Sequence, residues 1–139
     1  MTGDERIPER VVVDASALVA VILGEAAAPT VTSILARSEA RMAPSVLDLE
    51  VTSVLRRHLL QDRVTERRAV RALARLVSFP LRREETIPLL LRVLQLRDNF
   101  STADAAYVAL AELFDATLVT IDLRLARAVR RHTSVPVLP

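Results

Sequence analysis

The chain of 139 residues contains no cysteine and no lysine, and it has only two glycines and two histidines. Without cysteine there can be no disulfide framework, no iron–sulfur cluster and no thiol nucleophile. Without lysine, Schiff-base chemistry and a P-loop are both impossible. Gly3 and Gly24 are too few and too far apart for the glycine-rich turn that binds dinucleotides. These absences exclude two common classes of nucleotide-binding α/β protein.

Charge and hydropathy restrict the partners and the location that the protein can have. All 19 basic residues are arginines and 17 residues are acidic, so the formal net charge at pH 7 is only +2. Affinity for nucleic acid would therefore have to come from local patches. The longest uncharged apolar stretch, residues 15–24, is too short to cross a bilayer, and the polar N-terminus lacks the apolar core of a signal peptide. We expect a cytoplasmic protein with a polar tail at residues 1–9 and one domain at 10–139.

The hydrophobic pattern predicts strands that alternate with helices along the chain. The predicted strands are residues 10–14, 41–43, 79–82, 117–121 and 135–138. The predicted helices are residues 16–23, 26–37, 45–60, 64–77, 87–97, 102–114 and 123–132. This order is typical of an α/β fold in which helices cover both faces of a parallel sheet.

Two aspartates follow the two clearest buried strands. Asp14 ends the strand of three valines, and Asp122 ends the strand at residues 117–121. Each could simply cap the helix that follows, since aspartate is a favoured N-cap residue. However, ligands of open parallel sheets bind beyond the carboxyl ends of the strands, where both of these carboxylates should lie. Ser16 and Thr120, each two residues from one of these aspartates, could support them with hydroxyl contacts.

Two further acids lie at unusual positions on helices. Glu50 falls on the apolar face of the helix at 45–60, where a charge needs a partner, either an arginine or a ligand. Asp48 follows Ser45 by three and is interpreted as a structural capping-box acid. Asp104 follows Ser101 by three in the same way, but its helix is apolar nearly all round, so its first turn should face the sheet edge.

A divalent cation would explain the four acids Asp14, Glu50, Asp104 and Asp122. Four clustered carboxylates repel one another and resist ionisation, and a cation relieves that repulsion. An all-oxygen set of ligands favours Mg²⁺, with Mn²⁺ as a second possibility. Such an ion can activate water and stabilise charge on phosphate, the two requirements of phosphodiester hydrolysis.

At these residues the sequence resembles a known family. Residues 12–19, VVDASALV, resemble the opening motif of PIN-domain ribonucleases, and residues 49–55, LEVTSVL, resemble the second acidic motif of that family. Residues 101–112, STADAAYVALAE, match its third motif, and residues 118–126, LVTIDLRLA, match its fourth. The four motifs occur in order across almost the whole chain, and the compact length is most similar to the toxin half of a VapBC toxin–antitoxin pair.

The resemblance implies a three-layer α/β/α sandwich with a parallel five-stranded sheet. It also implies a magnesium-dependent endoribonuclease whose active-site groove is occupied by a cognate antitoxin. Carried over by position, the catalytic and metal-binding acids are Asp14, Glu50, Asp104 and Asp122. Asp98, just before the third motif, is not assigned.

Two arginine stripes are candidates for phosphate contacts. One comprises Arg63, Arg67, Arg71 and Arg75, widened by Arg68, and is equally consistent with a solvated helix face. The other comprises Arg124, Arg127 and Arg131. Because it begins just after Asp122, it is the better candidate for binding RNA.

The first two predicted helices, residues 16–37, carry few charges. They either pack into the core or leave an apolar patch for a partner. The partner would be an antitoxin helix or a second copy of the chain, the latter giving a homodimer.

Other functions fit the sequence less well. A phosphatase of the aspartyl-phosphate type usually needs a second aspartate at position 16 and a lysine, and the chain has neither. A serine hydrolase needs a histidine beside its nucleophile, and neither His58 nor His132 lies in such a pattern. A non-catalytic module that binds RNA or a protein partner on the same fold remains the alternative.

Overall fold

The structure, a computed structural model, describes residues 8–139. Within this part of the chain, five parallel strands form one sheet in the order β3-β2-β1-β4-β5. The strands are β1 (Arg10–Val13), β2 (Ala40–Pro44), β3 (Arg82–Glu84), β4 (Thr117–Val119) and β5 (Val137–Leu138). The tail predicted at residues 1–9 lies largely outside the described residues and stays a prediction.

Helices occupy most of the remaining sequence. They are α1 (Ala15–Leu23), α2 (Ala28–Arg37), α3 (Leu47–Leu60), α4 (Glu66–Val77), α5 (Leu90–Gln95), α6 (Thr102–Leu113) and α7 (Leu123–His132). Helix α1 packs against α2, α3 and α4, while α6 packs on β1, β2 and β4 and carries α5 on its other side. The sandwich of helices around a parallel sheet is the architecture that the sequence predicts.

Strand β1 lies at the centre of the sheet and sets the position of the site. Its three valines have no solvent exposure, and β1 pairs with β2 on one side and β4 on the other. Val13 is in register with Val119, so the residues that follow these two strands emerge side by side. The backbone amide of Asp14 donates to the carbonyl of Val119 at 3.1 Å. The strand order reverses between β1 and β4, and parallel α/β sheets bind ligands at such a switch point.

The sequence misplaces the edge strand β3. It was expected at residues 79–82, on the apolar Phe79 and Leu81, but lies at Arg82–Glu84. Phe79 and Leu81 instead pack against the core from the preceding loop. Arg83 fixes the strand, because it donates to Asp48 Oδ1 at 3.1 Å and to the carbonyl of Leu76 at 2.6 Å. Edge strands tolerate such polar residues because one side remains accessible to water.

Asp48 is structural, but not as a capping-box acid. Helix α3 begins at Leu47 after Val46, which makes no side-chain cap, so the predicted box with Ser45 is wrong. Asp48 pairs with Arg83 of β3 instead.

The helix predicted at 87–97 is also shorter than expected. It is a 3₁₀ turn at Ile87–Leu89, which contains Pro88, followed by the short helix α5.

The apolar first helices are core elements, so the alternative of an exposed patch on them is wrong. Every residue of α1 from Ala17 to Leu23 is buried, and α2 buries Val31 and Leu35. Within residues 8–139 no single helix is long and apolar enough to span a membrane, and α1 and α2 together would do so only across a 110° bend. Helix α1 ends at Gly24, whose φ of 67° favours glycine.

Candidate active site

Asp14 is the centre of a buried hydrogen-bond network. It is 5% exposed and caps α1, with Oδ1 accepting from the amide of Ala17 at 3.0 Å. Oδ1 also accepts from Ser16 Oγ, and Oδ2 accepts from Thr120 Oγ1, both at 2.7 Å. Ser16 and Thr120 lie 3.2 Å apart, so the two hydroxyls bridge the ends of β1 and β4. The capping role and the candidate functional role therefore belong to the same side chain.

Burial makes Asp14 an unusual carboxyl group. Desolvation raises the pKa of Asp14 to about 6, although the hydrogen bonds from Ala17, Thr120 and Ser16 act to lower it. The nearby charge of Asp122 raises it further. An aspartate that is costly to ionise is stabilised by a cation, and such groups cluster at functional sites.

Glu50 lies in the first turn and a half of α3, half-buried beside the sheet edge. Its Oε1 accepts a hydrogen bond of 2.6 Å from the hydroxyl of Tyr107, which is 1% exposed on α6. Burial raises the pKa of Glu50, the hydrogen bond from Tyr107 lowers it, and the charge of Asp104 raises it. The partner that the apolar face of α3 requires is therefore a tyrosine rather than an arginine.

Asp104 and Asp122 occupy the amino-terminal ends of α6 and α7. Ser101 caps α6 as the sequence suggested, with its hydroxyl oxygen accepting from the amide of Asp104 at 3.2 Å. The carboxylate of Asp104 lies 3.8 Å from the exposed guanidinium of Arg124. Asp122 caps α7, with Oδ1 accepting from the amides of Arg124 and Leu125. Burial raises the pKa of Asp104, Ser101 and Arg124 lower it, and Asp122 raises it.

The structure thus places all four predicted acids at one edge of the sheet. The charge of Asp122 raises the pKa of both Asp14 and Asp104, and the charge of Asp104 raises the pKa of Glu50. Each acid is therefore an electrostatic neighbour of another. Among residues 8–139, however, no three acidic or histidine side chains converge closely enough to hold an ion without moving. Glu50 is turned toward Tyr107 and Asp122 toward its helix. The chemistry of the donor set, which is all oxygen, fits a hard divalent cation, and burial raises the pKa of three of its members, Asp14, Glu50 and Asp104.

Sequence reasoning did not identify Tyr107 as a member of the site. The available signal was its spacing, because Tyr107 follows Asp104 by three and so shares its side of α6.

Sequence reasoning also grouped Arg68 and Arg75 with the exposed arginine stripe. In the structure they donate to the carbonyls of Leu23 and Ile22, the unpaired end of α1, at 2.7 and 2.8 Å.

The second arginine stripe is open to solvent. Arg124, Arg127 and Arg131 are all exposed on α7, and the stripe begins beside Asp104. Of the two histidines that the sequence assigned to the surface or to packing, His58 is partly exposed on α3. His132 packs edge-on against Phe100, with ring centroids 6.4 Å apart.

Comparison with known proteins gives a consistent family. The profile of the PIN domain matches residues 11–131. Ribonuclease VapC9 of Mycobacterium tuberculosis is 36% identical over 129 residues, which cover 93% of this chain and 98% of that protein. Ribonuclease VapC1 of the same species is 41% identical over 118 residues, covering 84% of this chain and 89% of that protein.

Solved structures show the same fold. PAE2754 from Pyrobaculum aerophilum superposes with a TM-score of 0.69 at 25% identity, covering 92% of this chain and 82% of that one. Mycobacterium tuberculosis VapC20, described as a toxin that cleaves the sarcin–ricin loop, gives a TM-score of 0.65 at 23% identity. That alignment covers 85% of this chain and 94% of VapC20.

Proposed function

The chain belongs to the PIN-domain family, and on this premise we propose that it is a magnesium-dependent endoribonuclease, the toxin of a toxin–antitoxin pair. The observation that carries the proposal is the buried carboxylate of Asp14, held between β1 and β4 by Ser16 and Thr120. The relatives that cover nearly the whole chain are named ribonucleases, which supports the same activity.

Asp14, Glu50, Asp104 and Asp122 are the residues that would hold Mg²⁺ or Mn²⁺. When bound, such an ion supplies activation of water and stabilisation of the charge that develops on the phosphate during hydrolysis. The pKa of Asp14, raised by burial, is the physical reason for expecting a cation here. Asp104 and Asp122 are partly exposed at helix ends, so their side chains can rotate without disturbing the core.

The chain's own residues would bind and orient the RNA. Ser16 and Thr120 hold Asp14 in one orientation by occupying one position on each of its oxygens. Arg124, Arg127 and Arg131 run from the acids along α7, and arginine binds phosphate through paired hydrogen bonds. Aromatic residues make up only 3% of the chain, so phosphate and shape recognition should outweigh stacking on bases.

The partners that we propose are RNA, a cognate antitoxin and a second copy of this chain, all in the cytoplasm. Support for the second copy comes from an apolar surface of α5 and α6, which we term the α5 patch. Its members are more than half exposed: Ile87, Leu90, Leu91, Leu94 and Leu113. The first four are spaced along one helical face, and exposed apolar surfaces of this kind mark interfaces.

A non-catalytic module that binds RNA or a partner is the alternative function, and one experiment separates the two. Purified protein freed of antitoxin is incubated with total RNA in Mg²⁺, in Mn²⁺ or in EDTA. We expect cleavage that requires the metal and falls about 100-fold or more in Asp14→Asn, because this variant loses a ligand of the ion that would stabilise the developing charge. RNA binding without cleavage in any divalent metal would favour the alternative.

The Asp14→Asn variant needs a folding control, because Asp14 also caps α1. Asparagine is an equally good N-cap residue and carries no charge into the buried site. We therefore expect the thermal midpoint of the variant in EDTA to match or exceed that of the wild type. A lower midpoint would mean that lost activity reflects damage to the fold, and Asp122→Asn, at a more exposed position, would then replace it.

A further inference from the structure

Tyr107 is a buried side chain that joins the site without being one of its acids. It is the largest fully buried side chain of the described residues and lies on α6, one turn after Asp104. Its hydroxyl group donates to Glu50 Oε1 at 2.6 Å, which spans 57 positions of sequence and ties α6 to α3. A hydrogen bond of this length to a carboxylate belongs to the strong, charge-assisted class.

The core fixes Tyr107, and Tyr107 in turn fixes Glu50. The neighbours of Tyr107 along α6, from Ala105 to Ala111, are all buried, so the phenol ring has little freedom to rotate. Glu50 is a long side chain on a partly exposed helix turn and would otherwise populate several rotamers. Because a carboxylate oxygen can only accept, the hydroxyl of Tyr107 is the donor of the bond to Glu50.

The hydrogen bond from Tyr107 occupies only one of the two carboxylate oxygens of Glu50. The bond engages Oε1, which leaves Oε2 available to a cation. No arginine performs this role among the described hydrogen bonds to Glu50. A neutral donor has the advantage that it does not compete with a cation for the carboxylate charge.

We propose that Tyr107 is a positioning residue that holds Glu50 in the orientation needed for the divalent cation of the proposed active site. The proposal rests on the proposed function in requiring that Glu50 take part in metal binding. It predicts that loss of the single hydroxyl weakens metal binding although Tyr107 itself touches neither metal nor RNA. Loss of a group that orients a metal ligand typically weakens metal binding by about 10–100-fold.

The first test is Mg²⁺ binding by isothermal calorimetry to metal-free wild type, Tyr107→Phe, Glu50→Gln and the double variant. We expect roughly 10-fold or greater weakening in Tyr107→Phe. Because the tyrosine acts through Glu50, it should cause little further loss in the Glu50→Gln background. Equal affinity in wild type and Tyr107→Phe, or the same loss in both backgrounds, would overturn the proposal.

Ser38→Ala is the matched control. Ser38 is 6% exposed, and its hydroxyl donates to the carbonyl of Ile34 at 2.7 Å in α2, without contact to the four acids. Both substitutions remove one buried hydroxyl, so both should lower stability to a similar extent. Only Tyr107→Phe should lower Mg²⁺ affinity, and an equal loss of affinity in Ser38→Ala would show a general effect of stability.

A second measurement does not depend on Tyr107→Phe folding. The chain has one tyrosine and no tryptophan, so its tyrosine fluorescence comes from Tyr107 alone. We expect Mg²⁺ to change this fluorescence in the wild type, with the same midpoint as calorimetry, and to leave it unchanged in Glu50→Gln. Mg²⁺ binding that leaves the fluorescence of the wild type unchanged would overturn the proposal.

The results separate this proposal from the proposed function. Cleavage of RNA by the wild type with no effect of Tyr107→Phe on Mg²⁺ affinity would reject the role of Tyr107 alone. Normal Mg²⁺ binding, weakened in Tyr107→Phe, without cleavage of any RNA would reject the ribonuclease alone. A wild type that binds no Mg²⁺ would reject both.

Discussion

Tyr107 makes the alkaline stability of this protein simple to interpret. The chain has no lysine or cysteine and one tyrosine, so Tyr107 is the only side chain whose ordinary pKa lies between roughly 9 and 12. Burial, then the hydrogen bond to Glu50, raises the pKa of Tyr107 in the folded state, whereas the unfolded chain keeps the ordinary value near 10. Above that value the folded protein holds one proton more than the unfolded protein.

We therefore predict that the free energy of unfolding falls as the pH rises above about 10, by about 1.4 kcal/mol per pH unit. Below about pH 10, Tyr107 causes no pH dependence of the free energy of unfolding. The measurement is urea denaturation in EDTA between pH 8 and 11.5, and Tyr107→Phe should flatten the curve. Tyrosinate absorbance in the folded protein near pH 10, or equal slopes in both proteins, would contradict the prediction.

At the scale of residues, the sequence identified the four acids and the hydroxyl partners of Asp14, which are Ser16 and Thr120, but not the partner of Glu50. Asp14 and Asp122 stand out because each follows a buried strand, and parallel strands bring such residues to one edge. Glu50 stands out as a charge on an apolar face. Its partner could not be predicted, because the contact with Tyr107 depends on how α3 and α6 pack across the sheet. That packing is a property of the whole core rather than of either local pattern.

At the scale of elements, arginines of α4 complete the end of α1. The last carbonyls of a helix lack partners within the helix, and those of Ile22 and Leu23 accept from Arg75 and Arg68. Arg71, on the same helix and exposed, makes no such bond among the described residues. We predict that Arg75→Met lowers the free energy of unfolding by about 1 kcal/mol, whereas Arg71→Met changes it little.

Chemical denaturation of both variants against the wild type tests this prediction. Methionine keeps most of the aliphatic stem and helix propensity of arginine, so the comparison isolates the guanidinium group. Equal losses in the two variants would mean that the contact to Ile22 contributes nothing beyond helix propensity. Equal losses would also mean that Arg75 behaves as a solvated surface residue, as the sequence pattern suggested.

Elements with a clear apolar pattern were predicted well, and weak elements were not. Strand β1 and helix α7 begin and end within a residue of the expected positions. Strand β3 has the sequence Arg-Arg-Glu and no apolar residue, so nothing local distinguishes it from a loop. It exists because its backbone pairs with β2 and because Asp48 and the end of α4 hold Arg83. Such tertiary contacts override local propensity.

At the scale of the whole molecule, one sheet edge carries the acids while a different surface remains apolar. The α5 patch is joined to α6 by Arg92, which makes two hydrogen bonds to Glu112. Leu113 lines a cavity together with Pro88 and Leu89, which lie beside Ile87 and Leu90 of the patch. The sequence left open whether α1 and α2 pack into the core or form a partner surface, because it could not show that α3 and α4 pack on α1.

If this surface joins two copies of the chain, a charge within it should separate them. In a two-fold interface each substitution occurs twice, so Leu91→Glu would place two uncompensated carboxylates in an apolar contact. We predict that the wild type has twice the 15.3 kDa mass of one chain by light scattering, and that Leu91→Glu has the mass of one chain.

Val77→Glu is the matched control, because Val77 is 79% exposed on α4 and outside the patch. It should remain dimeric. A monomeric wild type at about 100 μM, above the dissociation constants typical of standard-size interfaces, would exclude this interface. So would a Leu91→Glu variant that stays dimeric.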